Sequence, residues 1–193
     1  MNYIIKNFQT VSLMINDFIS EKKNIKALEK IISLLAEKHK QGFKGLTCGN
    51  GGSACDAMHY AEELTGRFRK DRKPLGAISL TESSHITCVA NDYGYDEIFS
   101  RGVEALGVSG DYLIAISTSG NSKNVINAVN KAKDMNILTI GLLGKDGGKL
   151  LNLTDHNLIF NADTSDRIQE LHILAIHTII EGIERILFEE NYR

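Results

Sequence analysis

Cys48-Gly-Asn-Gly-Gly-Ser-Ala-Cys-Asp-Ala-Met-His-Tyr-Ala-Glu-Glu-Leu-Thr-Gly66 is the stretch that decides how this chain folds. It reads as the end of a strand, a glycine loop and a helix. Phe43–Cys48 has the length and apolar leaning of a short strand. Gly49, Gly51 and Gly52 permit a tight turn with positive φ and let a ligand approach the main chain. Ser53 is placed to cap a helix that runs to about Thr65 and stops at Gly66. The start of such a helix offers unpaired N–H groups and a partial positive charge, which suits an anion such as a sugar phosphate. His59 and Glu63 are four residues apart and share one helix face. Each feature alone has an ordinary explanation, a common α/β turn and a solvated helix face. Together they have the layout of an active site. The loop lacks both the P-loop and the dinucleotide fingerprint, which disfavours a nucleotide.

Upstream, Ile4, Phe8, Val11, Ile15, Phe18 and Ile19 step by three and four, as do Ile25, Leu28, Ile31, Ile32, Leu35 and Ala36. These patterns predict two amphipathic helices, over Tyr3–Ile19 and Asn24–Lys40. Lying before the first strand, they read as an appendage over residues 1–40, whose apolar stripes need a partner subunit or the chain's own sheet. Downstream, Arg67-Phe-Arg-Lys-Asp-Arg-Lys73 is a solvated basic loop, or one whose Arg67 or Arg69 reaches a phosphate, including that of a neighbouring subunit. Leu75–Leu80 predicts a second strand, and Ser83–Asn91 and Asp96–Leu106 predict helices.

Asp111–Ile116 is almost wholly apolar and predicts a buried strand. It runs into Ser117-Thr-Ser-Gly-Asn-Ser122 and then a helix to about Met135, repeating the opening layout. Four hydroxyls and an amide in six residues exceed what an N-cap needs, so this loop is expected to bind phosphate. Ile137–Leu143 and His156–Phe160 complete five strands, with a short helix expected over Gly148–Leu153. A last helix is predicted over Asp166–Glu190, capped from Asp163–Ser165. Strands alternating with helices imply a parallel sheet covered on both faces, whose ligands sit beyond the carboxyl ends of its strands, where both polar loops fall.

The 193 residues fit one domain, with 42% hydrophobic content and a formal net charge of −2. That balance gives no general attraction to nucleic acid or anionic membrane. Cys48, Cys55 and Cys88 are odd in number and form no C-x-x-C, which reads as buried, reduced thiols in the cytoplasm; a functional thiol at Cys48, beside the glycine loop, is the alternative. The first twenty residues are interrupted by Lys6, Asn7, Gln9, Asn16 and Asp17 and do not form a cleavable signal. No apolar run approaches the ~20 residues of a membrane span.

Cys-Gly-Asn-Gly-Gly-Ser followed by His-Tyr-Ala-Glu-Glu-Leu-Thr-Gly, then Ile-Ser-Thr-Ser-Gly-Asn-Ser, then Asp-Arg-Ile-Gln-Glu-Leu-His with a further His, closely resembles the bacterial phosphoheptose isomerases. These are sugar-isomerase (SIS) domain proteins acting on sedoheptulose 7-phosphate. The likeness spans nearly the whole chain in order. It implies a doubly wound five-stranded parallel sheet and a homotetramer with active sites at subunit contacts. It implies substrate contacts from Asn50, Gly51, Gly52, Ser53, Glu63, Asn91, Asp92, Ser117, Thr118, Ser119, Ser122, Asp166 and Gln169. It implies a zinc ion on His59, Glu63, Gln169 and His177, with Glu63 and His177 as the acid–base pair. Spacing alone favours Glu170, seven residues before His177, and the resemblance replaces it with Gln169.

The implied reaction interconverts an aldose and a ketose 7-phosphate through an enediolate, toward heptose for lipopolysaccharide or capsule. Glu63 is the expected carbon base and His177 the relay to the sugar oxygens. A carboxylate bound to zinc is a weaker base, so either Glu63 leaves the metal when substrate arrives or the metal chiefly positions the sugar. The competing readings are a non-catalytic SIS-fold adaptor of the replication-initiator-binding type and a sugar-phosphate sensor.

Overall fold

The five strands are short, apolar and all parallel, so their faces must be covered on both sides. The computed structural model describes residues 2–193; Met1, first residue of the expected appendage, lies outside them. Strands β1 (Gly45–Gly49), β2 (Ala77–Ser79), β3 (Tyr112–Ser117), β4 (Leu138–Gly144) and β5 (His156–Phe160) line up as β2-β1-β3-β4-β5. Helices α1 (Asn2–Ser20), α2 (Lys22–Lys40), α3 (Gly52–Thr65), α4 (Ser83–Asp92), α5 (Ile98–Leu106), α6 (Lys123–Asp134) and α7 (Ser165–Leu187) complete the chain with short 3-10 turns. This is the doubly wound five-stranded sheet expected from the sequence.

Alternation along β3 shows the two layers. Tyr112, Ile114 and Ile116 point to one face and meet Leu35 of α2, Tyr60 and Leu64 of α3, and Ile176 and Ile180 of α7. Leu113 and Ala115 point to the other and meet Phe99 of α5 and Val125 and Val129 of α6. Strand order reverses between β1 and β3, so α3 and α6 leave the sheet on opposite sides and a crevice opens between their starts.

Tyr112 shows how tightly the first layer is fitted. A Cβ on Gly45, its register partner, would lie 2.6 Å from the Tyr112 ring. Only glycine leaves room for the phenol to reach the Tyr60 hydroxyl and His39 Nε2, both at 2.7 Å.

The two N-terminal helices differ from one another. The stripe of α2 finds its partner inside the chain, where Ile31, Leu35 and Ala36 are buried and Ile32 packs against Gly182 of α7. On α1 only Met14 is buried, while Tyr3, Phe8 and Leu13 are 68%, 77% and 63% exposed.

Several boundaries move for identifiable reasons. β2 is three residues long rather than six, because the Leu75 N–H is spent on the Leu64 carbonyl and not on the sheet. Ser53 is not the cap of α3. The chain turns at Gly51, with φ of 57°, and Ser53 lies buried inside the first turn against Gly49. α7 ends at Leu187 instead of Glu190, since Phe188 leaves helical geometry and a 3-10 turn follows. Cys48 is buried as expected, but Cys55 and Cys88 are exposed on their helices. Among the described residues, no helix is long and apolar enough to cross a membrane.

Candidate active site

Two helices from opposite ends of the chain supply the densest cluster of chemistry. His59 and Glu63 project from successive turns of α3, and His177 comes from the middle of α7. Each offers one ligand atom, and the three atoms lie within 4.8 Å of one another. His59 Nε2 is 2.8 Å from His177 Nε2 and 3.4 Å from Glu63 Oε1. The other His59 nitrogen, Nδ1, faces Glu62 Oε1 at 2.9 Å. A carboxylate on Nδ1 fixes which nitrogen carries the proton and leaves Nε2 to the cluster. Burial and the neighbouring His59 push the His177 pKa below its ordinary value, so the ring is neutral at neutral pH.

Two imidazoles and a carboxylate held this way fit a divalent cation of zinc type. The expected fourth ligand, Gln169, lies two turns before His177 on α7 and turns its amide to the glycine loop. A Cβ on Gly52 would sit 2.5 Å from Gln169 Oε1, so glycine is required there for Gln169 to fit. Glu170, favoured by spacing alone, turns away and pairs with Arg167 at 2.9 Å.

The serine-rich loop follows β3 at the same end of the sheet. Ser117 is buried; its Oγ accepts from Gly120 N–H at 3.1 Å and meets Ser122 Oγ at 3.2 Å. Ser119 Oγ accepts from Asn121 N–H at 3.2 Å. Thr118 Oγ1 reaches Ser165 Oγ at 3.0 Å, tying the loop to the start of α7. Gly120, at φ of 63°, packs against the Gly147 carbonyl with no room for a side chain. The hydroxyls thus shape the loop as well as populate it.

The remaining expected residues lie on other segments. Asn50 leaves β1 and pairs with Asn124 of α6 across the crevice, with amide distances of 2.8 and 2.9 Å. Asn91 and Asp92 end α4 as an exposed pair bonded to each other at 2.8 Å. Asp166 is exposed at the start of α7, where bonds from Thr164 and Arg167 hold its carboxyl down at about 2. In the basic run, Arg69 pairs with Glu181 at 2.8 Å. Arg72 is buried against Glu184 at 2.6 Å and donates to the carbonyls of Glu63 and Leu64, so it anchors the end of α3. Cys48 is unsuited to thiolate chemistry, since burial pushes its thiol up to about 12.

Sequence reasoning missed Glu62, Asn124, Tyr95 and Ser165. Glu62 had a signal, its spacing of three from His59. The others act through contacts between distant segments that no local pattern announces.

With this geometry established, comparison with known proteins is decisive. The SIS domain family matches residues 8–144. Phosphoheptose isomerase of Fusobacterium nucleatum is 56% identical over 189 residues, covering 98% of this chain and 97% of that protein. That of Vibrio cholerae is 50% identical over 173 residues, covering 89% and 91%. The structure of phosphoheptose isomerase from Neisseria gonorrhoeae superposes with a TM-score of 0.88 at 38% identity, covering 95% of this chain and 97% of that one. This chain therefore belongs to the phosphoheptose isomerases of the SIS domain family, and it is an isomerase.

Proposed function

We propose that this protein converts sedoheptulose 7-phosphate to D-glycero-D-manno-heptose 7-phosphate in the cytoplasm, as the first step of nucleotide-activated heptose synthesis for surface polysaccharide. The observation that carries the reading is the convergence of Glu63 and His177 from separate helices, with the serine loop tied through Thr118 and Ser165 to the start of the helix that carries His177.

The chemistry assigned to each residue follows from what must move. The ketose loses a proton from the carbon next to its carbonyl, and Glu63 is the group that takes it. The electrons left behind form the enediolate, with the negative charge on the former carbonyl oxygen. His177, neutral and able to donate or accept, passes protons between the two sugar oxygens. Glu63 then returns its proton to the neighbouring carbon, and the aldose is complete. Ser117, Thr118, Ser119 and Ser122, with the N-terminus of α6, hold the phosphate, while Asn50, Gly51, Gly52, Asn91, Asp92, Asp166 and Gln169 are assigned to the sugar. Binding energy gathered at the phosphate orients the reacting carbon. His59, Glu63, Gln169 and His177 would hold a zinc ion, which would polarise the sugar carbonyl.

The exposed apolar residues of α1 support self-association to a homotetramer, with sites completed at subunit contacts. Incubation of the purified protein with sedoheptulose 7-phosphate, followed by NMR of the sugar, tests the reading. Appearance of the aldose 7-phosphate supports it; binding without conversion rejects it.

A further inference from the structure

The Asn50–Asn124 pair lies where the strand order reverses, between the two loops that the proposed reaction uses. Asn50 Nδ2 donates to Asn124 Oδ1 at 2.9 Å, and Asn124 Nδ2 donates back to Asn50 Oδ1 at 2.8 Å. Asn124 is 2% exposed, and its Oδ1 also accepts from its own helix at Val125 N–H. A third segment joins them: the Tyr95 hydroxyl donates to Asn50 Oδ1 at 2.9 Å. That segment is itself pinned to α6, because Asn127 Nδ2 donates to the Asp96 carbonyl and to Glu97 Oε1.

The Asn50 oxygen and one of its two amide N–H groups are thus engaged by protein partners, which leaves the second N–H for the sugar. With Asn124 buried and Asn50 half-buried, the reciprocal amide pair resists opening, since releasing it strands the Asn124 amide away from water. On one side of it starts α3, which carries His59 and Glu63. On the other starts α6, which follows the serine loop. Movement of the pair would change the distance between the phosphate anchor and the carbon base.

We propose that Asn124 and Tyr95 are positioning residues which, acting through Asn50, set the span between the serine loop and Glu63 and so select the chain length of the sugar phosphate. The inference rests on the functional reading above. Neither residue touches the reacting atoms, so loss of either leaves each half of the site chemically whole but misplaced.

The test compares wild type, Tyr95→Phe and Asn124→Ala on sedoheptulose 7-phosphate and on the six-carbon ketose fructose 6-phosphate. Inorganic phosphate serves as a competitive probe of the anchor alone. Tyr95→Phe removes one exposed hydroxyl and keeps the fold available for assay should Asn124→Ala fail to fold. Its kcat on the seven-carbon substrate is expected to fall about threefold to tenfold, the loss of one hydrogen bond. For Asn124→Ala the fall is about tenfold to a hundredfold, the scale of a small misplacement. In both, the phosphate inhibition constant stays within about twofold of wild type, because the anchor retains its own contacts. Preference for seven carbons over six narrows. An active wild type whose variants keep kcat and preference unchanged, or lose phosphate affinity in parallel with kcat, overturns this inference alone. A wild type inactive on both ketoses overturns the functional reading and this inference with it.

Discussion

His59 Nε2 stands 2.8 Å from Nε2 of His177, although 118 residues separate them in sequence. The contact exists because α3 and α7 lie side by side on one face of the sheet, packed through Tyr60 and Leu64 against Ile176 and Ile180. Core packing therefore determines the distance between the groups assigned to the chemistry. Glu63 shares that cluster, and its own carbonyl is fixed by Arg72 at 2.7 Å.

If the cluster binds metal, its two histidines and the carboxylate behind them will show it directly. His177→Ala is expected to abolish stoichiometric zinc in the purified protein, measured by elemental analysis. Glu62→Gln should weaken zinc about tenfold in a chelator competition, the lower end of the range for residues that orient a ligand, because Glu62 is largely exposed. Equal zinc content in all three proteins would place the metal elsewhere.

Gly52 is required by Gln169. A Cβ there meets the end of a flexible side chain, which can move aside, so Gly52→Ala should fold with little loss of stability. The displaced amide is expected to lower kcat/KM about tenfold. In a Gln169→Ala background the same glycine substitution should cost little more, since the residue it displaces is already gone. Steady-state kinetics of the four proteins reads this coupling, and additive losses would contradict it.

The buried Arg72–Glu184 pair stabilises the segment that presents Glu63. Both side chains are 1% exposed, so Arg72→Met leaves an unpaired carboxylate inside the protein. The expected cost is about 3–5 kcal/mol by urea unfolding. Replacing Glu184 by Leu as well should recover part of it, because the uncompensated charge is removed. A loss under about 1 kcal/mol for Arg72→Met alone would show that the pair is not desolvated.

Acid should destabilise the fold through two buried histidines. Burial holds His39 and His172 at about 4, below their ordinary value of 6.5. Neither His172 nitrogen has a hydrogen-bond partner among the described residues. Between pH 6.5 and about 4 the unfolded chain binds protons on these rings and the folded chain does not. Their contribution is thus complete above pH 6.5 and lost as pH falls toward 4, by up to about 3 kcal/mol each. Asp56 opposes this below pH 6, because burial raises its carboxyl to about 6 and the folded state takes up that proton first. His172→Leu should flatten the decline of Tm between pH 6.5 and 4; an unchanged pH profile would contradict the assignment.

The parts legible in the sequence are those set by local pattern. Alternating apolar strands and helices announced the parallel sheet, and β5 was placed to the residue because its pattern is bounded by polar turns. His59 and Glu63 were legible because four residues on a helix make one face. The glycine turn misled at Ser53, since positive φ at Gly51 starts the helix two residues earlier than a hydroxyl cap at Ser53 would. The choice between Gln169 and Glu170 was beyond spacing: neighbouring residues on α7 point to different surroundings, and only the packing of α7 on the glycine loop decides which faces inward. The Asn50–Asn124–Tyr95 contact joins three segments with no shared periodicity, so it appears only in the folded chain.

Proton transfer at carbon is the most direct test. Wild-type protein incubated with sedoheptulose 7-phosphate in D2O should place deuterium on the carbons next to the carbonyl, seen as loss of the corresponding proton NMR signals. Glu63→Gln should slow that exchange about a hundredfold or more while phosphate still binds. Exchange at the wild-type rate in Glu63→Gln, with the protein folded, would contradict the assignment of Glu63 as the base.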